Sequence, residues 1–349
     1  LGWEGPYFVD ADHINRHNVQ RFLSASDFFT IDVADQIGRP CAKEVLDHFM
    51  SQAGSFLGQL SIPGLSQPLT VEEEQVRNIG QQYLAALDEA AAVYAIIRDH
   101  KGQKSFILEI SMDETEKAQS PLELFFILMM AADRHIPIQT IAPKFTGQFY
   151  KGVDYVGQVS SFEKEFHQDI AVIKYATQVF DLPSNLKLSM HSGSDKFSLY
   201  PAIKKALQES GAGLHLKTAG TTWLEELIGL ADSGKEGLAM SQKIYSLAYD
   251  RKEELMQPYA TVINIDSEAL PAPQHVYSWD SSKFVQALRH DQTCEAYNPS
   301  FRQLLHIGYK VAAELGQEYI SALERHYPSI EKNVQENLLQ RHILRVFPI

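Results

Sequence analysis

The stretch "LSMHSGSDKFSLYP", residues 188–201, decides the fold class of this chain. It begins as an apolar run typical of a buried strand, and a histidine, small residues, an aspartate and a lysine follow directly. Four other segments show the same pattern: "FVDADHIN" (8–15), "FFTIDVAD" (28–35), "FILEISMDETE" (106–116) and "GLHLKTAGTT" (213–222). Five apolar runs that end in ionisable side chains indicate a common structural cause.

Strand and helix patterns alternate along most of the chain. The predicted strands are 7–12, 28–33, 105–111, 137–142, 186–191 and 213–217, with one more at 261–266. Apolar residues spaced three and four apart predict helices at 43–60, 72–100, 120–135, 160–181, 196–210, 222–232, 236–256, 281–290, 300–326 and 329–345. The segment 61–70 is predicted to be a loop from its Gly, Pro and Ser content. The alternation predicts a largely parallel sheet, either doubly wound or closed into a barrel.

Composition places the chain among ordinary globular proteins. It has 349 residues, of which 44% are hydrophobic and 21% charged. The net charge of −13 argues against a nucleic-acid or anionic-membrane partner, because phosphate recognition needs clustered Lys and Arg. The chain has only two cysteines and no apolar run long enough to span a bilayer, so we expect a cytoplasmic protein. It starts at Leu1, and we expect its natural N-terminus to lie upstream.

The polar strand endings predict one site. In parallel α/β folds the carboxyl ends of the strands converge, and active sites form there. The candidate side chains at these ends are Asp10, Asp12, His13, Asp32, Asp35, Glu109, Asp113, Glu114, Glu116, His191, Asp195, His215 and Lys217. Imidazoles and carboxylates without a thiolate suit a divalent cation such as Zn, Mn, Co or Ni better than Ca.

Each candidate also has a purely structural interpretation. His13 can cap the next helix, and Asp32, Asp35 and Asp195 have the residue type of helix caps. The histidines at 191 and 215 favour a functional role more strongly, because a polar side chain in a buried strand costs free energy unless it is paired.

Two lysines, Lys144 in "APKFTG" and Lys217 in "HLKTAG", also follow predicted strands. They can neutralise a substrate carboxylate, with Thr218 and the amides of the next helix N-terminus at the same anion site. Either lysine can instead form a Schiff base with a ketone. The segment "FTGQFYKGVDYVGQ" (145–158) is interpreted as a functional loop over the pocket.

Six ordered motifs carry a family resemblance: "FVDADHIN", "FFTIDVAD", "EISMDETE", "APKFTGQFYKGVDYVGQ", "LSMHSGSDKFSLYP" and "LHLKTAGTTW". Together they resemble the tagaturonate/fructuronate epimerase family of hexuronate catabolism, from residue 5 to about residue 225 and more loosely beyond. The resemblance implies a (β/α)8-like TIM barrel, incomplete or truncated at the N-terminus, with a helical C-terminal part. We therefore expect a catalytic domain at 1–270 and a helical extension at 271–349.

The resemblance also implies a divalent-metal-dependent sugar-acid epimerase and roles for its catalytic and metal-binding residues. Asp12 would be the catalytic base and Glu109 its partner acid, although Asp32, Asp113 and Glu114 stay open as alternatives. The implied metal ligands are His13, His191 and His215. Independently of the resemblance, we expect the substrate-binding residues to be Lys144, Lys217, Thr218, Ser192 and Asp195.

The implied substrates differ at a hydroxyl-bearing carbon one bond beyond the carbon next to the ketone. Simple enolisation cannot invert that centre, so we expect retro-aldol cleavage followed by aldol re-formation, or another proton transfer. The alternatives are a metal-dependent aldolase or isomerase of a sugar acid, a Schiff-base enzyme, and a non-catalytic sugar-acid binding protein. A small-molecule sugar acid is the expected partner, and a homo-oligomer is left open.

Overall fold

A computed structural model describes residues 4–218 and 220–348, with the main chain alone at Thr221. The chain divides into two compact units. The first consists of residues 1–146, 160–191 and 206–215, and the second of residues 147–159, 192–205 and 216–349. The units interleave along the sequence, and the predicted domain boundary at residue 270 stays a prediction.

A six-stranded sheet has the strand order β1-β2-β5-β6-β7-β8. Its strands are β1 (Asp10–Ile14), β2 (Phe28–Asp32), β5 (Ile107–Ser111), β6 (Thr140–Ala142), β7 (Lys187–Met190) and β8 (Leu214–Leu216). The pairings from β1 through β7 are parallel, as the alternation of strands and helices predicts. Six strands agree with an incomplete barrel. A closed eight-stranded barrel is not formed by the residues that the structure describes.

A small antiparallel hairpin precedes the third strand of this sheet. It pairs β3 (Gly58–Leu60) with β4 (Leu69–Val71), where the sequence predicts the end of a helix and a loop. That prediction is wrong at both strands. Gly58 has φ +100°, a conformation that stops a helix at no steric cost, and the apolar side chains of Leu60 and Val71 are buried.

Five helices accompany the strands: α1 (Lys43–Ala53), α2 (Glu73–Lys101), α3 (Pro121–Asp133), α4 (Val159–Val179) and α5 (Tyr200–Ser210). The predicted start of α3 is confirmed. The Ser120 hydroxyl accepts from the Glu123 amide at 3.2 Å, and the Glu123 carboxylate accepts from the Ser120 amide at 2.7 Å, with Pro121 in the first turn. This capping box fixes the first turn of a helix whose apolar face is buried in the core.

The second unit is mainly helical. Its helices are α6 (Thr221–Asp232), α7 (Lys235–Asp250), α8 (Lys252–Met256), α9 (Pro273–Tyr277), α10 (Ser281–Leu288), α11 (Pro299–Ile307), α12 (Tyr309–Glu314), α13 (Gln317–Arg325), α14 (Tyr327–Gln335) and α15 (Leu344–Val346). A π-helical segment, Glu336–Ile343, joins the last two. The predicted helix 300–326 divides at Gly308 and Gly316, and Gly316 has φ +55°.

The strand predicted at 261–266 is wrong, because its main chain bonds to side chains and loops instead of to a neighbouring strand: the Val262 amide donates to the Tyr259 carbonyl, and the Lys151 amide donates to the Val262 carbonyl. The Asn264 amide donates to Gln303 Oε1 at 2.9 Å, and the Gln303 side-chain amide donates back to the Asn264 carbonyl at 2.9 Å. Within residues 4–218 and 220–348, no helix has both the length and the apolar character needed to cross a bilayer.

Candidate active site

Glu109 lies in the middle of the sheet and is fully buried. Parallel pairing aligns it with Thr30 on β2 and with Thr140 on β6. The Thr30 hydroxyl donates to Glu109 Oε1 at 3.3 Å and also lies 3.2 Å from Asp10 Oδ1. The carboxylate of Glu109 is therefore held within the sheet by its neighbouring strand.

Two imidazoles also contact the Glu109 carboxylate. His191 Nε2 lies 2.6 Å from Oε1, and His215 Nδ1 lies 3.1 Å from Oε2. Ser189 Oγ also lies 3.1 Å from His215 Nδ1. A buried carboxylate is costly unless hydrogen bonds and opposite charge surround it, and these two rings supply both when protonated.

His13 reaches this region because β1 contains an irregularity. Ala11 pairs with Phe29 and Ile14 with Ile31, so β1 has one more residue than β2 between these pairs. His13 lies in that extra length with φ +53°, a left-handed conformation that few residues other than glycine adopt. Such bulges redirect side chains near active sites. Here the bulge places His13 Nδ1 3.0 Å from Asp12 Oδ1.

Asp113 brings His13 and His191 together. Its Oδ1 atom lies 3.0 Å from His191 Nδ1 and 3.5 Å from His13 Nε2, and the Ser111 hydroxyl donates to the same oxygen at 2.5 Å. The two imidazole rings meet edge to face with centroids 5.3 Å apart. Glu114 Oε1 lies 3.6 Å from His13 Nε2. Two imidazole nitrogens and a carboxylate oxygen thus converge at one place.

The carboxylates dominate the electrostatics of both rings. Burial alone would lower the pKa of His13, but Asp113 and Asp12 outweigh it and raise that pKa to about 10. Burial is likewise outweighed at His191, where Asp113 and Glu109 raise the pKa to about 8. Burial would raise the pKa of Asp113, yet the two imidazoles hold it well below its usual range.

The cluster of His13, Asp113 and His191 fits a divalent cation. One ligand atom from each residue lies within 4.8 Å of the other two. His13 Nε2 and His191 Nδ1 are buried and face Asp113 Oδ1, so both have a lone pair available to a metal when the rings are neutral with their protons on the other nitrogens. Nitrogen and oxygen donors of this kind suit Zn and other first-row transition metals. His215 contacts the Glu109 carboxylate and is not a member of this cluster. Its role as a ligand stays a prediction.

The structure gives each remaining predicted residue a definite place. Asp12 is about half exposed beside His13. Asp32 accepts from the Ala34 amide at 2.9 Å, in the manner of a local cap. Lys144 follows β6, and its amide donates to Gln119 Oε1 at 2.7 Å.

Ser192, Asp195, Lys217 and Thr218 belong to the second unit. Ser192, Lys217 and Thr218 are half-buried, whereas Asp195 is fully buried, with its carboxylate 2.6 Å from the guanidinium of Arg302. Their roles in substrate binding stay predictions.

Thr30, Ser111 and Ser189 also contact the site, although the sequence did not single them out. Each is a small hydroxyl residue inside an apolar strand and is fully buried. A buried hydroxyl in a strand requires a partner, and that requirement is the only sequence signal for them.

The sheet and these side chains define an α/β enzyme whose clustered ionisable groups lie within and just beyond parallel strands. The chain belongs to the tagaturonate epimerase family, and it is therefore an isomerase: the model of this family, UxaE, matches residues 1–346.

Individual relatives agree with this assignment. A tagaturonate/fructuronate epimerase of Thermotoga maritima is 27% identical over 356 aligned residues, which cover 98% of this chain and 68% of that relative. The native crystal structure of the fructuronate-tagaturonate epimerase UxaE from Cohnella laeviribosi superposes with a TM-score of 0.78 at 21% identity, covering 99% of this chain and 69% of that one. A glycerol complex of the Cohnella protein gives the same values. At this identity the structures show a shared fold.

Proposed function

We propose that this protein interconverts tagaturonate and fructuronate, using Glu109 and Asp12 as acid–base groups beside a divalent cation held by His13, Asp113 and His191. One observation carries the proposal. In a chain of the tagaturonate epimerase family, a fully buried carboxylate contacts two imidazoles, and one of these rings, His191, also belongs to a cluster suited to a cation.

The chemistry required is the inversion of a carbon that the ketone does not acidify. A base removes the proton from the hydroxyl on that carbon, the bond to the next carbon breaks, and its electron pair moves toward the ketone to give an enediolate and an aldehyde. After the aldehyde rotates, the same bond re-forms on its other face and the proton returns to the oxygen. Atoms and electrons balance without an oxidant.

Asp12 is proposed to remove the hydroxyl proton. Its carboxylate is about half exposed and therefore accessible to substrate, and the contact with His13 Nδ1 orients it. Glu109 is proposed to exchange a proton on the opposite face. Its contacts with His191 and His215 would stabilise the negative charge on its carboxylate. When bound, a divalent cation would supply Lewis-acid stabilisation of the negative charge that develops on the ketone oxygen.

The substrate carboxylate needs a cation, and Lys144 and Lys217 are the proposed partners. Both follow strands of the sheet and are half-buried. A half-buried ammonium can bind a carboxylate with less screening than one on an open surface.

Proton NMR of tagaturonate incubated with metal-loaded protein tests this function. We expect conversion to fructuronate without accumulation of fragments. Asp12→Asn and Glu109→Gln should each lower turnover by about 100- to 10,000-fold while metal content stays normal. Glu116→Gln, at an exposed carboxylate in the same segment, is the matched control and should keep normal turnover.

Other outcomes would identify a different function. Three-carbon products would indicate an aldolase. Activity that survives EDTA, with borohydride trapping at a lysine, would indicate a Schiff base at Lys144 or Lys217. Binding of both uronates without conversion would indicate a binding protein, and normal rates in Glu109→Gln would remove Glu109 from the mechanism.

A further inference from the structure

Two fully buried cations, Arg302 and Lys196, hold the turn that follows β7 in the second unit. We propose that Arg302 is a positioning residue: it fixes the turn Ser192–Lys196 and thereby orients His191, which is joined to that turn by a peptide bond. As an aid to turnover this inference rests on the proposed function, whereas the orientation of His191 can be tested without it.

The backbone conformation of this turn is unfavourable unless other contacts stabilise it. Ser192 has φ +49° and Asp195 has φ +63°, both in the left-handed region. Such a residue stores backbone strain and persists only where its surroundings fix it. The contacts of the turn must therefore supply the missing stability.

Arg302 supplies the central contacts from α11. Its Nη2 donates to Asp195 Oδ2 at 2.6 Å, its Nε to the Gly152 carbonyl at 2.6 Å, and its Nη1 to the Leu288 carbonyl at 2.8 Å. Arg302 and Asp195 are both 0% exposed. Only a guanidinium presents donors in this rigid planar arrangement, so a lysine cannot make the same three contacts.

Lys196 fastens the same turn from within. Its ammonium donates to the carbonyls of Tyr150 at 2.9 Å, Val153 at 2.6 Å and Ser194 at 3.2 Å. Arg302 and Lys196 thus join the turn to the segment around Gly152. A buried cation without acceptors would be expensive, so these contacts oppose any separation of the two segments.

Two further main-chain groups of the turn are also bonded. The Asp195 amide donates to His342 Nε2 at 3.1 Å, and the Tyr200 hydroxyl donates to the Gly193 carbonyl at 2.9 Å. His342 Nδ1 lies 2.9 Å from the Asn337 carbonyl, which fixes the neutral tautomer with its proton on Nδ1. The turn is therefore held from four directions immediately after a residue of the candidate site.

Arg302→Lys tests the proposal, because it keeps the charge and loses the fixed geometry. In metal-free protein labelled with ¹⁵N-histidine, we expect the ring ¹⁵N resonances of His191, assigned with His191→Gln, to shift. In metal-loaded protein we expect kcat to fall about 10- to 100-fold with a smaller change in KM. Arg325→Lys, at an exposed arginine of the same unit, is the control and should change neither.

A second variant guards against loss of folding. Asp195→Asn combined with Arg302→Met removes both charges at similar volume, which buried ion pairs tolerate better than loss of one partner. It should fold and show the same displaced His191 resonances. In the unaltered protein, the Asp195 amide should exchange with deuterium only through global unfolding.

The outcomes separate the possibilities. Unchanged His191 resonances with kcat within about twofold of normal, even at a lowered Tm, would overturn the positioning role and leave a purely structural ion pair. Rapid exchange of the Asp195 amide would overturn it as well. Displaced resonances in a protein that does not epimerise tagaturonate would support the positioning role and contradict the proposed function.

Discussion

Asp113 contacts both histidines of the candidate metal cluster, His13 and His191, through a single oxygen atom. Its Oδ1 lies between His191 Nδ1 and His13 Nε2, and the Ser111 hydroxyl holds it from the strand end. The residue follows β5 by two positions, so the end of one strand determines where two imidazoles from other strands meet.

Asp113→Asn should therefore weaken cation binding. The amide has one oxygen acceptor and no charge, and loss of a group that merely supports a ligand already costs 10- to 100-fold in affinity. We expect a loss of at least about 100-fold in affinity for Co²⁺ or Zn²⁺ by calorimetric titration. Glu116→Gln should bind as the unaltered protein does, and equal affinities in the two variants would remove Asp113 from the ligand set.

The raised pKa of His191 predicts how stability depends on pH in metal-free protein. Its folded-state pKa is about 8 against an ordinary value of 6.5. The extra stability is therefore fully present below pH 6.5 and lost as the pH rises through 8, a loss on the order of 2 kcal/mol. Urea denaturation in EDTA at pH 6 and pH 9 should show a smaller decrease for His191→Gln. If the free energy of unfolding decreased equally in the unaltered protein and in His191→Gln, protonation of His191 would not contribute to stability.

The sequence predicted which ionisable residues lie at strand ends, but it did not predict which atoms meet. His13, Glu109 and His191 are recognisable because polar side chains at the end of apolar strands need partners. Their contacts depend on the bulge in β1 and on the register between strands, which one sequence does not specify. Asp113 was named as an acid–base alternative, and only the structure brings it to the imidazoles.

At the scale of elements, strong local signals were predicted best. The capping box at Ser120 is a pattern within four residues, and it begins the helix that was predicted at 120–135. The hairpin β3–β4 was missed because its strands are three residues long, too short to show periodicity. The strand predicted at 261–266 failed because its main chain bonds to distant side chains and loops, such as Gln303 at Asn264 and Lys151 at Val262.

Helix α6 begins at a glycine that no other residue can replace without strain. Gly220 has φ +87°, and a Cβ atom there would lie 2.2 Å from His306 Nε2. Gly211 has φ +67°, and a Cβ atom would meet nothing within 4 Å. Gly211→Ala should therefore cost about 1–2 kcal/mol from the backbone alone.

Gly220→Ala should cost at least about 1 kcal/mol more than Gly211→Ala, because overpacking adds to the same backbone strain. Urea denaturation of both variants measures the difference. Equal costs would mean that His306 moves away freely.

At the scale of the whole molecule, the net charge of −13 and the six-strand sheet fit a small-molecule enzyme better than a nucleic-acid binding protein. The sequence predicted the parallel α/β class, since alternating elements leave few topologies. It did not predict that the segments of one unit interrupt those of the other, because contacts between distant segments decide which segments belong together.

Cation binding should stabilise the whole molecule. A ligand that binds only the folded state at 100 times its Kd contributes about 2.7 kcal/mol, which raises Tm by several degrees in a chain of this size. Thermal unfolding with EDTA, with Zn²⁺ or Mn²⁺, and with Ca²⁺ as the comparison measures this shift. We expect a rise with the transition metals and none in Asp113→Asn; a shift of the same size in that variant would place the cation elsewhere.

The strand order has a further consequence for how the chain acquires its site during synthesis. The two imidazoles that contact the Glu109 carboxylate are synthesised much later than Glu109: His191 is 82 positions further along the chain, and His215 is 106 positions further. Contacts between such distant positions form slowly, since loop closure must precede them. A nascent chain that stops before residue 215 leaves this acid without its full complement of partners, so ribosome-bound fragments of that length should be sensitive to proteases and dependent on chaperones.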